Sequence, residues 1–210
     1  MVQNELTKAE SAMHKAAELE PNLPGPYAAL GQIFLAKGKE EKSLEKFEES
    51  LEKNPNNLGV LMLSGTLHQK KGDIEKARKK YEKILKINPE FIPAVNNLAY
   101  IYSEYDGDLE KAFRLAMKAN KAYPEDPRIS DTLGWILYKQ EDYQWARNLL
   151  EDSASKVNNN SEVLYHLGMV HYKLGNEKEA KKTLARALEL GRDFQEIGRA
   201  SCRERVCHRV

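Results

Sequence analysis

The sequence predicts an all-α protein made of antiparallel helix pairs stacked one on the next. Three observations carry this. Apolar residues recur at helical spacing along nearly the whole chain, while Gly and Pro are sparse, at 12 and 8 of 210 residues. A set of small, aromatic and aliphatic residues returns at a period of roughly 34 residues, the mark of a repeat architecture. Most repeats close on a proline, where a helix cannot continue.

The elements follow in order. Leu6, Ala9, Met13, Ala16 and Pro21 match the second half of a repeat, so residues 1–23 form the second helix of a partial unit. The first whole unit, 24–57, carries Leu30-Gly31, Phe34, Gly38, Ser43, Phe47 and Pro55, with helices expected over Pro24–Lys37 and Glu40–Asn54. The second, 58–91, carries Leu61, Gly65, His68, Gly72, Ala77, Tyr81 and Pro89. The third, 92–126, carries Leu98-Ala99, Tyr102, Ala112, Ala116 and Pro124, with one extra residue near Asp106-Gly107. The fourth, 127–160, carries Leu133-Gly134, Leu137, Ala146 and Leu150, but Glu141 stands where the turn glycine belongs and Asn158 where the proline belongs. The fifth, 161–194, carries Leu167-Gly168, His171, Gly175, Ala180 and Leu184. The small residues Gly31, Gly65, Ala99, Gly134 and Gly168 let the two helices of a pair approach closely. Gly38, Gly72 and Gly175 sit where each first helix must stop, since Gly enters the left-handed conformation readily.

Five copies in register resemble the tetratricopeptide repeat family, from Leu6 to Leu190. The resemblance implies a right-handed superhelical solenoid that binds a peptide or partner protein in a concave groove lined by the first helix of each unit. It also implies which positions face that groove. They fall on Asn96 and Tyr100 in the third unit, on Asp131, Trp135 and Tyr138 in the fourth, and on Tyr165, Met169 and Tyr172 in the fifth. Tyr and Trp suit such a surface because they combine large apolar area with a polar end; the competing reading packs them between successive units. The asparagine ladder of some family members is missing: Asn97 is matched by Ala29, Leu63, Thr132 and His166. Nor do adjacent units supply the Lys, Asn and Arg set of a carboxylate clamp.

The same residues argue against catalysis. His166 and His171, five apart, are separated by about 140° around a helix and do not share a face as a metal pair would. No phosphate loop, nucleophile motif or metal-ligand spacing occurs, so no enzyme activity and no cofactor are expected. The formal charge of +1 implies no general attraction to nucleic acid. No apolar run approaches the roughly 20 residues that span a bilayer, and the first residues show no secretory signal.

Residues 195–210 stand apart. Glu196 to Val206 resemble the translation of a sequencing adapter, periodicity stops there, and Cys202 and Cys207, the chain's two cysteines, lie in this tail beside four arginines. The tail is set aside as non-native, and the natural protein is expected to extend beyond this piece.

The phrases around Asn96–Tyr100 and Asp131–Tyr138 are similar to bacterial repeat proteins that accompany exopolysaccharide export and surface-protein sorting, often as periplasmic lipoproteins. The expected function is therefore a protein-binding adaptor in a bacterial envelope or exopolysaccharide-export assembly. The alternative is a regulatory or substrate-recruiting module of a larger enzyme such as a transferase. Cytoplasm and periplasm both stay open.

Overall fold

A computed structural model describes residues 2–157 and 159–191. Asn158 and the tail, with Cys202, Cys207 and the suspected adapter string, lie outside them. The described residues form eleven α-helices and no strand: α1 (Val2–Leu19), α2 (Pro24–Ala36), α3 (Glu40–Lys53), α4 (Leu58–Lys70), α5 (Ile74–Ile87), α6 (Ile92–Ile101), α7 (Leu109–Ala122), α8 (Pro127–Lys139), α9 (Tyr143–Lys156), α10 (Ser161–Lys173) and α11 (Glu177–Leu190). A π-helical turn, Tyr102–Asp106, follows α6. The fold is a helix-pair solenoid of the expected class. Its residues divide into two compact units, 1–94 and 95 onward.

Within each unit the pairs α2/α3, α4/α5, α8/α9 and α10/α11 pack most extensively, and the small residues explain how. A Cβ built on Gly31 would fall 2.4 Å from the Phe47 ring, one on Gly65 2.7 Å from Tyr81, one on Gly134 2.8 Å from Leu150, and one on Gly168 2.6 Å from Leu184. These distances are shorter than any carbon contact, so glycine is required wherever a large side chain of the second helix crosses the first. Phe47, Tyr81 and Leu150 are accordingly sealed from solvent. The facing small residues also work as hydrogen-bond donors: Ser43 Oγ donates to Gly31 O at 2.7 Å, Ser50 Oγ to Pro24 O at 3.0 Å and Ser153 Oγ to Pro127 O at 2.8 Å. The two proline partners lie in first helical turns, where proline's missing N–H costs no bond.

The turn between the two helices of a pair is the same in four repeats. Gly38, Gly72 and Gly175 adopt φ of 70°, 81° and 77°. The next residue donates back to the last helical turn, as Lys39 N does to Phe34 O and Asp73 N to His68 O. Glu141 occupies the same left-handed position at φ 66°, with Asp142 N on Leu137 O at 3.0 Å. The repeat register thus overrides the local preference of glutamate, at a cost of roughly 1–2 kcal/mol for an L-residue in that region.

The extra residue of the third unit is absorbed as the π-helical turn at Tyr102–Asp106, closed by Gly107 at φ 69°. A single added residue inside a helix characteristically widens one turn this way. α7 then starts under a side-chain cap, Asp108 accepting from Lys111 N.

Candidate functional site

The residues expected to line the groove come from α6, α8 and α10, all within the second unit. Two of these helices are capped at their start by a side chain. Asp126 caps α8 by accepting from Arg128 N at 2.9 Å, and Asn160 caps α10 by accepting from Glu162 N and Val163 N at 3.0 and 3.2 Å. Such caps satisfy amide groups a helix start leaves open.

Trp135 is the centre. Its indole stacks on Tyr138 (centroids 4.6 Å apart, planes at 4°) and on His166 (4.1 Å, 17°), with Tyr165 tilted against it at 6.0 Å. Its Nε1–H donates to Glu104 Oε1 at 2.7 Å. The same carboxylate takes Lys139 Nζ at 2.5 Å, and Lys139 also donates to Ser103 O at 2.9 Å. Glu104 and Ser103 belong to the π-helical turn, so the inserted residue lies within the segment that supplies the acceptors for Trp135 and Lys139.

His166 bonds Asp131 through Nδ1, at 2.9 Å from Oδ1. Burial pushes the imidazole toward its neutral form, but the Asp131 charge and hydrogen bond, helped by Glu162 and Glu104, outweigh this and raise its pKa above the ordinary value. The result is two neutralised pairs, His166–Asp131 and Lys139–Glu104, joined through one indole. Tyr100 OH adds a longer donation to Glu162 Oε1 at 3.5 Å.

The eight expected residues do not all present a surface. Trp135, Tyr138 and Tyr165 are 9%, 7% and 8% exposed, so they offer edges rather than faces. Met169 is 1% exposed and belongs to the core, a correction to its expected place in the groove: α10 packs against both α8 and α9, which encloses that side chain. Tyr172 is 37% exposed. Asn96, Tyr100 and Asp131 are half-buried, and Asn96 Oδ1 has no hydrogen-bond partner. His166 is the residue that sequence reasoning missed. Its signal was the 35-residue offset from Asp131, one repeat plus one position, which sets the fifth position of one unit beside the sixth of the next.

Among the described residues no cluster of three or more His, Cys, Asp or Glu could hold a metal ion. Nor is any described helix long and apolar enough to cross a membrane. The arrangement presents aromatic edges above an internally hydrogen-bonded cluster.

Comparisons with known proteins agree on the architecture. Tetratricopeptide repeat models match residues 137–200 and 58–91. The TPR repeat-containing protein PA4667 of Pseudomonas aeruginosa is 35% identical over 75 residues, which are 36% of this chain and only 12% of that protein. Among solved structures, Pseudomonas aeruginosa pilF superposes with a TM-score of 0.72 at 18% identity, covering 96% of this chain and 91% of its own. YrrB, described as a TPR protein with an unusual peptide-binding site, superposes at 0.63 and 17%, covering 90% and 97%. TTC0263 of Thermus thermophilus superposes at 0.65 and 18%, covering 85% and 97%. At these identities the structures establish the fold alone. Proteins of this fold are in general interaction scaffolds rather than catalysts. The repeat register, the close helix pairing at its glycines and the two model matches together identify tetratricopeptide repeats at residues 58–91 and 137–200 of this chain.

Proposed function

We propose that this chain is a non-catalytic adaptor that takes a peptide or partner-protein segment on the face of α6, α8 and α10. The observation that carries the reading is the stack of Tyr138, Trp135 and His166, held by the buried His166–Asp131 pair and the half-buried Lys139–Glu104 pair, with the exposed Tyr172 further along α10. A floor already ordered before binding loses little side-chain entropy on association. Around it stand polar groups for a peptide backbone: the half-buried Glu162 and the Tyr100 hydroxyl. Tyr172 supplies the adaptable contact at the rim.

The narrower placement of this adaptor in a bacterial envelope or exopolysaccharide-export assembly rests on the sequence phrases around Asn96 and Asp131. The alternative is a recruiting module of a larger enzyme such as a transferase; the segment matched in PA4667 is 12% of that protein, so related repeats occur within a longer chain.

The test is affinity capture from cytosolic and envelope extracts. The chain is compared with a Tyr172→Ala, Glu162→Gln variant of equal helicity, which spares the buried stack. A partner held by the parent and lost by the variant supports the face. Equal recovery by both overturns it. Recovery from the envelope fraction alone favours the narrower placement, and recovery from the cytosol alone counts against it.

A further inference from the structure

A second surface lies in the first unit, where α3, α4 and α5 enclose a cleft of 610 Å³. Four lysines of α5, Lys76, Lys79, Lys80 and Lys83, line one side at i, i+3, i+4 and i+7, so they share one helix face. Leu51 and Leu61 line the cleft between them and the opposite wall, which carries Glu48 and Glu52. Lys80 is occupied: its Nζ reaches Glu48 Oε2 at 2.6 Å, and Ser64 Oγ donates to the other oxygen of that carboxylate at 2.8 Å. Lys76 comes only to 3.9 Å from Asp73. Among the described residues, Lys79 and Lys83 have no acidic group at ion-pair distance.

The preceding repeat shows that this is not a demand of the fold. At the same register α3 carries Lys42, Glu45, Lys46 and Glu49, and it neutralises itself, with Lys46 at 3.1 Å from Glu45 and 2.6 Å from Glu49. α5 instead gathers like charges along one side of the cleft, where Lys79 and Lys83, one turn apart, repel one another until an anion enters.

We propose that this cleft binds an acidic segment of a partner protein, its carboxylates on Lys79 and Lys83. Two features select peptide over nucleic acid. The lining has no Phe, Tyr or Trp on which a base could stack, and its one aromatic ring, His68, is buried and tied to Asp73 at 3.1 Å; it also has lysine point charges without the arginine fork that favours phosphate. Glu52, opposite, is placed to accept an amide or ammonium from the same segment. The surface is separate from the α6/α8/α10 face and does not depend on it.

The test is fluorescence anisotropy on the full 210-residue chain. The probes are a fluorescein-labelled peptide of alternating Glu and Leu, its Gln-for-Glu counterpart and a labelled single-stranded oligothymidylate. The proteins are the parent, Lys79→Gln/Lys83→Gln, and the charge-matched control Lys178→Gln/Lys181→Gln, all confirmed folded by circular dichroism. Binding of the Glu peptide alone, weakened about tenfold or more by the cleft variant and unchanged by the control, is expected. Equal weakening in both variants, no binding of the Glu peptide, or tighter binding of the oligonucleotide would each overturn the proposal.

Discussion

In the first unit, charged side chains bridge neighbouring repeats at the surface. Lys71 meets Glu41 at 2.6 Å, and Lys70 meets Glu40. In the second unit the bridges run beneath aromatic rings: His166 to Asp131 under Trp135, and Lys139 to Glu104 at the indole edge. The helical scaffold is the same, and the glycine contacts that build it are the same, yet the energetic meaning differs. Exposed pairs are screened and worth little. A buried pair leaves an uncompensated charge when one partner is removed, and the network around it resists rearrangement. In the second unit that buried pair is His166–Asp131, while Lys139–Glu104 is half-buried.

That contrast breaks most severely at the indole. Trp135→Ala is expected to cost about 3–5 kcal/mol, read as a loss in denaturant-unfolding stability. A loss under 1 kcal/mol would mean the stack is ornamental. Next comes the scaffold common to both units. Gly134→Leu, forced onto Leu150, is expected to cost about 1–3 kcal/mol by overpacking, and Gly65→Leu, forced onto Tyr81, should fall in the same range. A neutral result for either would show that the helix pair can open there.

Asp131→Asn sharpens the comparison through pH. In the parent, folded His166 holds its proton more tightly than an unfolded histidine, whose pKa is about 6.5. The stabilisation is therefore complete below about pH 6.5 and is lost as pH rises through the folded-state value. Without Asp131 the largest counterweight to burial is gone, and the same histidine should favour the neutral form. Thermal midpoints between about pH 5 and 9 should then reverse their His166-dependent slope in the variant. Parallel profiles would show that Asp131 is not the controlling charge.

Two smaller effects follow. Glu141→Gly should stabilise by about 0.5–1 kcal/mol, the relief of a left-handed residue less the entropy of a glycine, whereas Gly72→Ala should destabilise. Lys71→Ala, which removes a surface bridge, should leave the melting midpoint unchanged and complete the contrast with Asp131.

The repeat register made much of this legible. The period placed α2 and α3 within a residue of their observed ends, and it marked Glu141 as standing in a glycine position, which its φ of 66° bears out. The site was less legible, for a physical reason. A repeat template tells which positions share a face, but not how far each side chain is covered by the next unit. Met169 satisfied the pattern and is enclosed, while His166 lay off the pattern and lies at the heart of the cluster. Its partner sits 35 residues away, a coupling that appears only when neighbouring repeats are laid side by side.

The π-helical turn at Tyr102–Asp106 has a consequence for how such chains change over generations. A single-codon insertion would ordinarily rotate everything downstream by about 100° and ruin the packing. Here one widened turn followed by Gly107 takes up the added residue, and α7 and the repeats after it keep their phase. The widened turn also holds Glu104 and the Ser103 carbonyl where Trp135 and Lys139 use them. Ends of first helices are therefore places where a repeat array can gain a residue, and a new binding group with it, in one genetic step and without refitting its neighbours.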